Sequence, residues 1–264
     1  DSTGRVDHAL FSIDASTGAL TMTAPDFESP TDTFGTTGDN VYGVTVKATD
    51  SGTPANTATH NISVTVVNVN EQPVITSSAT FSQNENTVIT TAAADVTPTD
   101  PDGGGSFTHS IVGGVDEDAF TINSATGQIF FASLRNFESP GSASNSNAYV
   151  IDVQVTDTTT AANGVLSSAV QTVTITVNDI NEAPVITGGD TATANFVENA
   201  TGTVIDVAHS DVDAGDSITY SLSGSVDDDL FAIVGGTGVV TFISSPDFET
   251  KLGGTGNDSN DYVI

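Results

Sequence analysis

FSIDASTGALTMTAPDFESP from Phe11, FTINSATGQIFFASLRNFESP from Phe120 and FAIVGGTGVVTFISSPDFET from Phe231 are three versions of one unit. The spacing is near 110 residues: Phe11 to Phe120 is 109, Phe120 to Phe231 is 111, Glu28 to Glu138 is 110 and Pro73 to Pro184 is 111. Unrelated landmarks that agree on one period are the signature of a tandem array, and about 100 residues is the usual size of a β-sandwich. In each version a Thr-Gly pair (Thr17-Gly18, Thr126-Gly127, Thr237-Gly238) sits between two apolar runs. Glycine there supplies the positive φ of a tight hairpin.

Outward from this unit, turn signals and alternating runs in the middle copy mark about seven strands, at 74–82, 87–94, 106–112, 119–123, 128–132, 148–156 and 166–177. In the sixth, Tyr149, Ile151, Val153 and Val155 share one face, while Val150, Asp152, Gln154 and Thr156 share the other. That period of two is expected when one face covers a core. The seventh places Val173, Ile175 and Val177 inward, and the first copy does the same with Ile62, Val64 and Val66. Stretches rich in Gly, Ser and Asn at 31–40, 141–147 and 253–261 read as exposed loops ahead of the sixth strand. The expected fold is all-β: tandem seven-stranded Greek-key sandwiches of the immunoglobulin-like kind, end to end.

The register divides the chain at 1–70, 71–181 and 182–264. The first segment reads as the C-terminal part of a repeat, the second as a complete repeat and the third as the N-terminal part of another. Residue 1 matches position 110 of the middle copy and Ile264 matches Ile151, so the natural protein is expected to continue in both directions.

Composition narrows the partners. With 34 acidic residues against 4 basic ones, a net charge of −30, the chain repels phosphate backbones and anionic membrane surfaces, which are bound by clustered Lys and Arg. Cysteine is absent, which removes disulfides, thiolate metal sites and thiol nucleophiles, and fits a bacterial surface or medium better than a disulfide-stapled ectodomain. No apolar run approaches the roughly 20 residues that cross a bilayer, so this segment does not insert in a membrane. The four histidines (His8, His60, His109, His209) have no metal-ligand spacing and read as ordinary surface or strand residues.

The acidic residues recur at fixed places, at strand ends and between copies. Each copy has a glutamate after its first strand (Glu85, Glu198) and an Asp-x-Asp pair after its second (Asp100 and Asp102; Asp211 and Asp213). An acidic or amide residue then precedes Phe-Glu (Asp26-Phe27-Glu28; Asn136-Phe137-Glu138; Asp247-Phe248-Glu249), and an aspartate closes the sixth strand (Asp50, Asp157). The copies are joined by NVNEQP (Asn68 to Pro73) and NDINEAP (Asn178 to Pro184). Together these motifs resemble the calcium motifs of cadherin repeats, in the NEAP-linker form typical of bacterial cadherin-like domains, and the resemblance covers the whole chain.

That resemblance implies calcium between repeats, held by the base of one repeat, the linker, and the top of the next. Carried over by position, the junction of the first and middle copies would use Asp26, Glu28, Asn68, Asn70, Glu71, Asp100, Asp102 and Asp157. The junction of the middle and third copies would use Glu85, Asn136, Glu138, Asp179, Asn181, Glu182, Asp211 and Asp213. Asp50 would serve an upstream junction, and Glu198, Asp247 and Glu249 a downstream one. Calcium takes roughly six to eight oxygen ligands, and carboxylates and amide carbonyls are its usual donors. Each pair of carboxylates at ~4 Å repels by ~1–4 kcal/mol without a cation. Both linkers are one residue shorter than the DxNDNxP linker of animal cadherins, Asn68 and Asn136 stand where that family has aspartate, and two or three ions per junction both remain open.

The expected function is that of a calcium-stiffened structural or adhesive segment of a long extracellular repeat protein, such as a surface adhesin, with cell-surface or matrix polysaccharide or protein as partner. Repetition of nearly every acidic cluster argues against an enzyme, because catalysis needs a one-off constellation. The alternative is a calcium-dependent carbohydrate-binding module of a secreted enzyme. Against it stand zero Trp and four Tyr, since sugar recognition uses exposed aromatic platforms.

Overall fold

Val, Ile and Tyr at every second position make Ala148–Asp157 a strand with one apolar face, and that face is sealed: Tyr149, Ile151, Val153 and Val155 are all buried. The neighbouring strand Gln171–Asn178 buries Val173, Ile175 and Val177 in the same way, and the two pair antiparallel with Ile151 opposite Val173. Both inward faces are as the alternation predicts. In the computed structural model, which describes residues 7–158, 164–187, 191–251 and 260–264, the chain forms two units, 1–178 and 179–264. Helix is limited, among the described residues, to three short 3₁₀ turns at His8–Leu10, Glu117–Ala119 and Asp228–Leu230.

In the first unit the strand Phe107–Gly113 flanks Ala148–Asp157 on one side, and Gln171–Asn178 flanks it on the other. Thr80–Asn84 then pairs parallel with Gln171–Asn178. The facing sheet is Phe120–Ile122, Gln128–Phe131 and Ala94–Asp95, with Val74–Ile75 paired to Pro98–Thr99. Ala94, Val96, Phe120, Ile129 and Phe131 close the core from that side. Aromatic rings weld the two layers: Phe131 meets Tyr149 edge-on at 5.2 Å and Phe120 lies 4.5 Å from Phe131. The guanidinium of Arg135 covers the rings of Phe131 and Tyr149 at 4.8 and 5.0 Å.

The same unit holds two hairpins of the first copy, Phe11–Ile13 with Leu20–Met22 and Val41–Thr49 with Thr57–Thr65. Tyr42 and Val44 are buried, while Ile62, Val64 and Val66 alternate correctly but are only half-buried. In the second unit Thr203–Asp206, Val239–Phe242 and Phe231–Ile233 form one sheet, and Val185–Ile186 pairs with His209–Ser210. Phe231, Phe242 and Tyr262 repeat the aromatic triad, at 4.3 and 5.2 Å.

Four strand expectations need correction. The run 74–82 is two pieces, Val74–Ile75 and Thr80–Asn84, because the chain changes sheets between them. The run 87–94 is mostly turn: the Thr91 amide donates to the Val88 carbonyl at 2.9 Å, Val88 and Ile89 are exposed, and only Ala94–Asp95 pairs. Its β-branched residues Val88 and Ile89 sit on the surface while Ala93 and Ala94 reach the core, a division that periodicity alone could not reveal. The run 119–123 begins in the 3₁₀ turn, and the seventh strand breaks between Ser167 and Gln171, where the Ser168 hydroxyl accepts the Val155 amide. The loops at 31–40 and 141–147 lack strands as expected, while of the third loop only residues 260 and 261 are among the described residues. His109 is a residue of the strand Phe107–Gly113, within the expected surface or strand placement; it is buried, and its Nδ1 donates to the Ser124 carbonyl at 3.1 Å.

The three Thr-Gly glycines have φ of +72, +79 and +75 at Gly18, Gly127 and Gly238, as the hairpins require. At Gly127 a Cβ would also lie 2.3 Å from the Val96 carbonyl oxygen, whereas at Gly18 nothing stands within 4 Å. Gly127→Ala is therefore expected to destabilise the middle sandwich by about 2–3 kcal/mol and Gly18→Ala by about 1 kcal/mol. Urea unfolding of the two variants side by side checks the difference.

Candidate metal centre

The site at the start of the middle sandwich is built from three stretches of the first unit. Asp26-Phe27-Glu28 follows the strand Leu20–Met22, and an Asx turn shapes it: Asp26 Oδ1 accepts the amides of Glu28 and Ser29 at 3.0 and 3.1 Å. The linker Asn68–Glu71 leaves the strand Thr57–Thr65, and Asp100-Pro101-Asp102 follows Pro98–Thr99. A second Asx turn sets the aspartate pair, since Asp100 Oδ1 accepts the Asp102 amide at 3.0 Å.

Asp102 then fastens the linker. Its Oδ1 accepts from Asn68 Nδ2 at 2.8 Å and its Oδ2 accepts the Glu71 amide at 2.9 Å. The result brings carboxylate oxygens of Glu28, Glu71 and Asp102 within 4.8 Å of one another. On the same three stretches Glu28 Oε1, Asn68 Oδ1, Asn70 Oδ1, Glu71 Oε2 and Asp100 Oδ2 are buried oxygens without a hydrogen-bond donor. Buried acceptors are ordinarily satisfied, and all of these are hard oxygen donors, the set that a calcium ion takes. The residues fit that group.

Two of the expected ligands stand differently. Asp26 is exposed, with its Oδ1 committed to its own loop, and Asp157 is fully buried beside Gly105, outside the three grouped carboxylates. Asn70 is buried and donates from Nδ2 to the Gly164 carbonyl at 3.1 Å. Asp50 is exposed, and its carboxyl is held below the ordinary aspartate value, first by the Asn56 backbone amide and then by the Asn56 side chain.

The carboxyl of Glu71 is pushed above the ordinary value, first by desolvation and then by the charges of Glu28, Asp102 and Asp100. A raised folded-state value means that the folded site holds its proton more tightly than the unfolded chain does, so stability is gained below this value and lost as pH rises through it. In chelator, the chain is expected to melt at a higher temperature at pH 5 than at pH 7.5. In excess calcium the order reverses, because proton and cation compete for the same oxygens. Thermal melts at both pH values, with and without calcium, check the inversion.

The second unit repeats the template. Asp211 Oδ1 accepts the Asp213 amide at 3.0 Å, Asp213 Oδ2 accepts the Glu182 amide at 2.6 Å, and Asp211 Oδ2 and Asp213 Oδ1 are buried without donors. Asn181 is exposed and donates to the Glu182 carbonyl, and Asp179 lies on the same linker. Further along, carboxylate oxygens of Glu198, Asp247 and Glu249 lie within 4.8 Å of one another. The charge of Glu198 is the first cause that raises the Glu249 carboxyl above its ordinary value, while the Glu249 backbone amide is the first that lowers that of Asp247.

In the middle copy, as in the third, the glutamate after the first strand holds the acidic loop. Glu85, buried, accepts the Phe137 amide on Oε2 at 2.9 Å, and Glu198 accepts the Phe248 amide at 3.0 Å. Glu138 is exposed, and Asn136 Oδ1 accepts the Ser139 amide at 2.6 Å, so asparagine replaces aspartate there without loss of the turn.

Two recurring sets escaped the sequence reading. Asp7, Asp116 and Asp227, each four residues before a repeat-defining Phe, are buried and bond to backbone amides. Asn40, Asn147 and Asn260, each two residues before a Tyr, donate from Nδ2 to the carbonyls of Phe27, Phe137 and Phe248. Their fixed offsets from Phe and Tyr were the available signal.

No protein-family model matches the chain. Human cadherin EGF LAG seven-pass G-type receptor 2 is 30% identical over 217 residues, which is 80% of this chain and 7% of that receptor. Human protocadherin Fat 1 is 30% identical over 191 residues, which is 70% of this chain and 4% of that protein. The chain thus spans a small part of the curated relatives it matches. Among solved structures, the protocadherin gammaB7 EC3-6 cis-dimer structure superposes with a TM-score of 0.59 at 22% identity, over 93% of this chain and 60% of that one. Mouse cadherin-23 EC22-24 gives 0.55 at 24% identity, over 91% and 74%. Sheets, relatives and fold neighbours agree: the chain is built of cadherin-like domains.

Proposed function

We propose that this chain is a calcium-binding segment of a long extracellular repeat protein, and that calcium at the repeat junctions stiffens the array for adhesion to cells or matrix. The observation that carries this reading is the set of buried oxygens without donors on Glu28, Asn68, Asn70, Glu71 and Asp100, on the same three stretches of chain that bring the Glu28, Glu71 and Asp102 carboxylates together. Glu28, Glu71, Asp100 and Asp102, with Asn68 and Asn70, would hold the ion between the first and middle repeats. Asp211 and Asp213 carry the same turn and the same unpartnered oxygens, which supports an equivalent role beside Glu182, together with Glu85, Glu138, Asp179 and Asn181 by sequence position. The same reading keeps the repeat boundaries at 70/71 and 181/182, as the sequence register gives them. A surface or secreted setting, bacterial in view of the cysteine-free chain, and a non-enzymatic role belong to the same reading.

Ion affinities of extracellular modules lie at roughly 10⁻⁴–10⁻³ M. A site that binds only the folded junction contributes about 2.7 kcal/mol when calcium stands a hundredfold above its dissociation constant. For a sandwich of about 110 residues that is a rise in melting temperature of about 10–20 °C. Calorimetric melts in millimolar calcium and in chelator test it. Identical melting in both, with no heat of binding on titration, would remove the calcium reading.

A further inference from the structure

We infer that Asn40, Asn147 and Asn260 are positioning residues for the cation sites, each tying the acidic loop of its repeat into register with the strands beside it. The inference rests on the calcium reading above. In the first copy the Asn40 side chain donates from Nδ2 to the Phe27 carbonyl at 2.9 Å, and its own main-chain carbonyl accepts the Val66 amide at 2.9 Å. Phe27 is the middle residue of Asp26-Phe27-Glu28, and Val66 stands two residues before Asn68. One residue thus holds the peptide that carries Glu28 and the strand that delivers Asn68, Asn70 and Glu71.

The middle copy repeats both bonds. Asn147 Nδ2 donates to the Phe137 carbonyl at 2.8 Å, and the Asn147 carbonyl accepts the Val177 amide at 2.8 Å, one residue before the second linker. Phe137 is held from both sides, since its amide donates to Glu85 while its carbonyl accepts from Asn147. Asn260 makes the side-chain bond to Phe248 in the third copy at 3.2 Å. The amides are kept for their N–H: Oδ1 of both Asn40 and Asn147 is buried with no donor, an arrangement a simpler loop residue would avoid. Side chains that hold metal-binding residues in place typically govern metal affinity by about 10–100-fold.

Asn40 has φ of +61, so Asn40→Gly removes the amide without backbone strain. The test follows the amide resonances of Glu71 and Asp102 during calcium titration of the 264-residue chain, with those of Asp211 and Asp213 as internal control. The expected result is a calcium midpoint about tenfold or more higher at Glu71 and Asp102, with the midpoint at Asp211 and Asp213 unchanged and the fold intact in chelator. Should Asn40→Gly fail to fold, Asn40→Asp keeps the shape and loses the donor. It adds a negative charge, which by charge alone would tighten calcium, so weaker binding supports the positioning role and tighter binding overturns it. An unchanged midpoint at Glu71 in a variant of a calcium-binding chain overturns the role of Asn40 and leaves the calcium reading standing. Absence of calcium shifts in the unaltered chain overturns both.

Discussion

Asp102→Ala is expected to weaken calcium binding between the first and middle repeats by at least about 100-fold, the upper end of what loss of even an outer-shell partner costs. The carboxylate has three roles at once. Its oxygens belong to the group with Glu28 and Glu71, its Oδ1 holds the Asn68 amide, and its Oδ2 holds the Glu71 backbone N–H. Its loss removes a ligand and releases the linker that carries the others. In chelator the same change relieves repulsion of Glu28 and Glu71, so the variant should differ much less from the parent there than in calcium. A residue that only capped a loop would lower stability equally in both conditions. Calorimetric titration, with melts in calcium and in chelator, separates the two outcomes. Asp213→Ala should repeat the effect at its own site, because the bonds to the Asp211 turn and the Glu182 amide are the same.

Asp116→Ala is expected to cost the middle sandwich about 3 kcal/mol with or without calcium. Asp116 is buried, and its two oxygens accept the Ala143 amide at 2.6 Å and the Val150 amide at 2.7 Å. It thereby pins the 3₁₀ turn Glu117–Ala119 to the loop and strand that carry Tyr149. Leaving a buried donor unsatisfied costs about 1–3 kcal/mol, and two are exposed to that loss here. Asp7 makes the equivalent bonds to Thr33 and Gly43, and Asp227 to Val263, so the pin belongs to the repeat and not to one copy. For Asp7 burial pushes the carboxyl up, yet the bonds from Gly43 and Thr33 together leave it below its ordinary value. Its contribution is therefore present at neutral pH and lost as pH falls through that depressed value. Urea unfolding of Asp116→Ala at neutral pH, in calcium and in chelator, checks the size and the indifference to the ion.

The sequence carried the sheets wherever side chains alternate against a sealed core. Tyr149 to Val155 and Val173 to Val177 fall inward as their period of two requires, and Glu28, Glu71 and Asp102, which the family resemblance assigns to one junction, have carboxylate oxygens within 4.8 Å of one another. It failed where geometry, not hydrophobicity, decides. Val88 and Ile89 are apolar and β-branched but lie on the surface of a turn, and the chain from Val74 to Asn84 changes sheets with no break in its pattern. Asp116 and Asn147 were passed over for a related reason. Among many acidic and amide residues, only the direction of a side chain toward backbone amides and carbonyls distinguishes a pin from a solvated surface group. Arg135, with no counterpart at Pro25 or Pro246, covers an aromatic pair that composition could not have assigned to it.

The most direct measurement is the anomalous difference map of the chain crystallised with calcium, collected at long wavelength. The expected result is a peak about 2.3–2.6 Å from oxygens of Glu28, Glu71 and Asp102, with Asp100, Asn68 or Asn70 completing the shell. A map with no peak there at saturating calcium, while the three carboxylates keep their places, would contradict calcium binding at this junction.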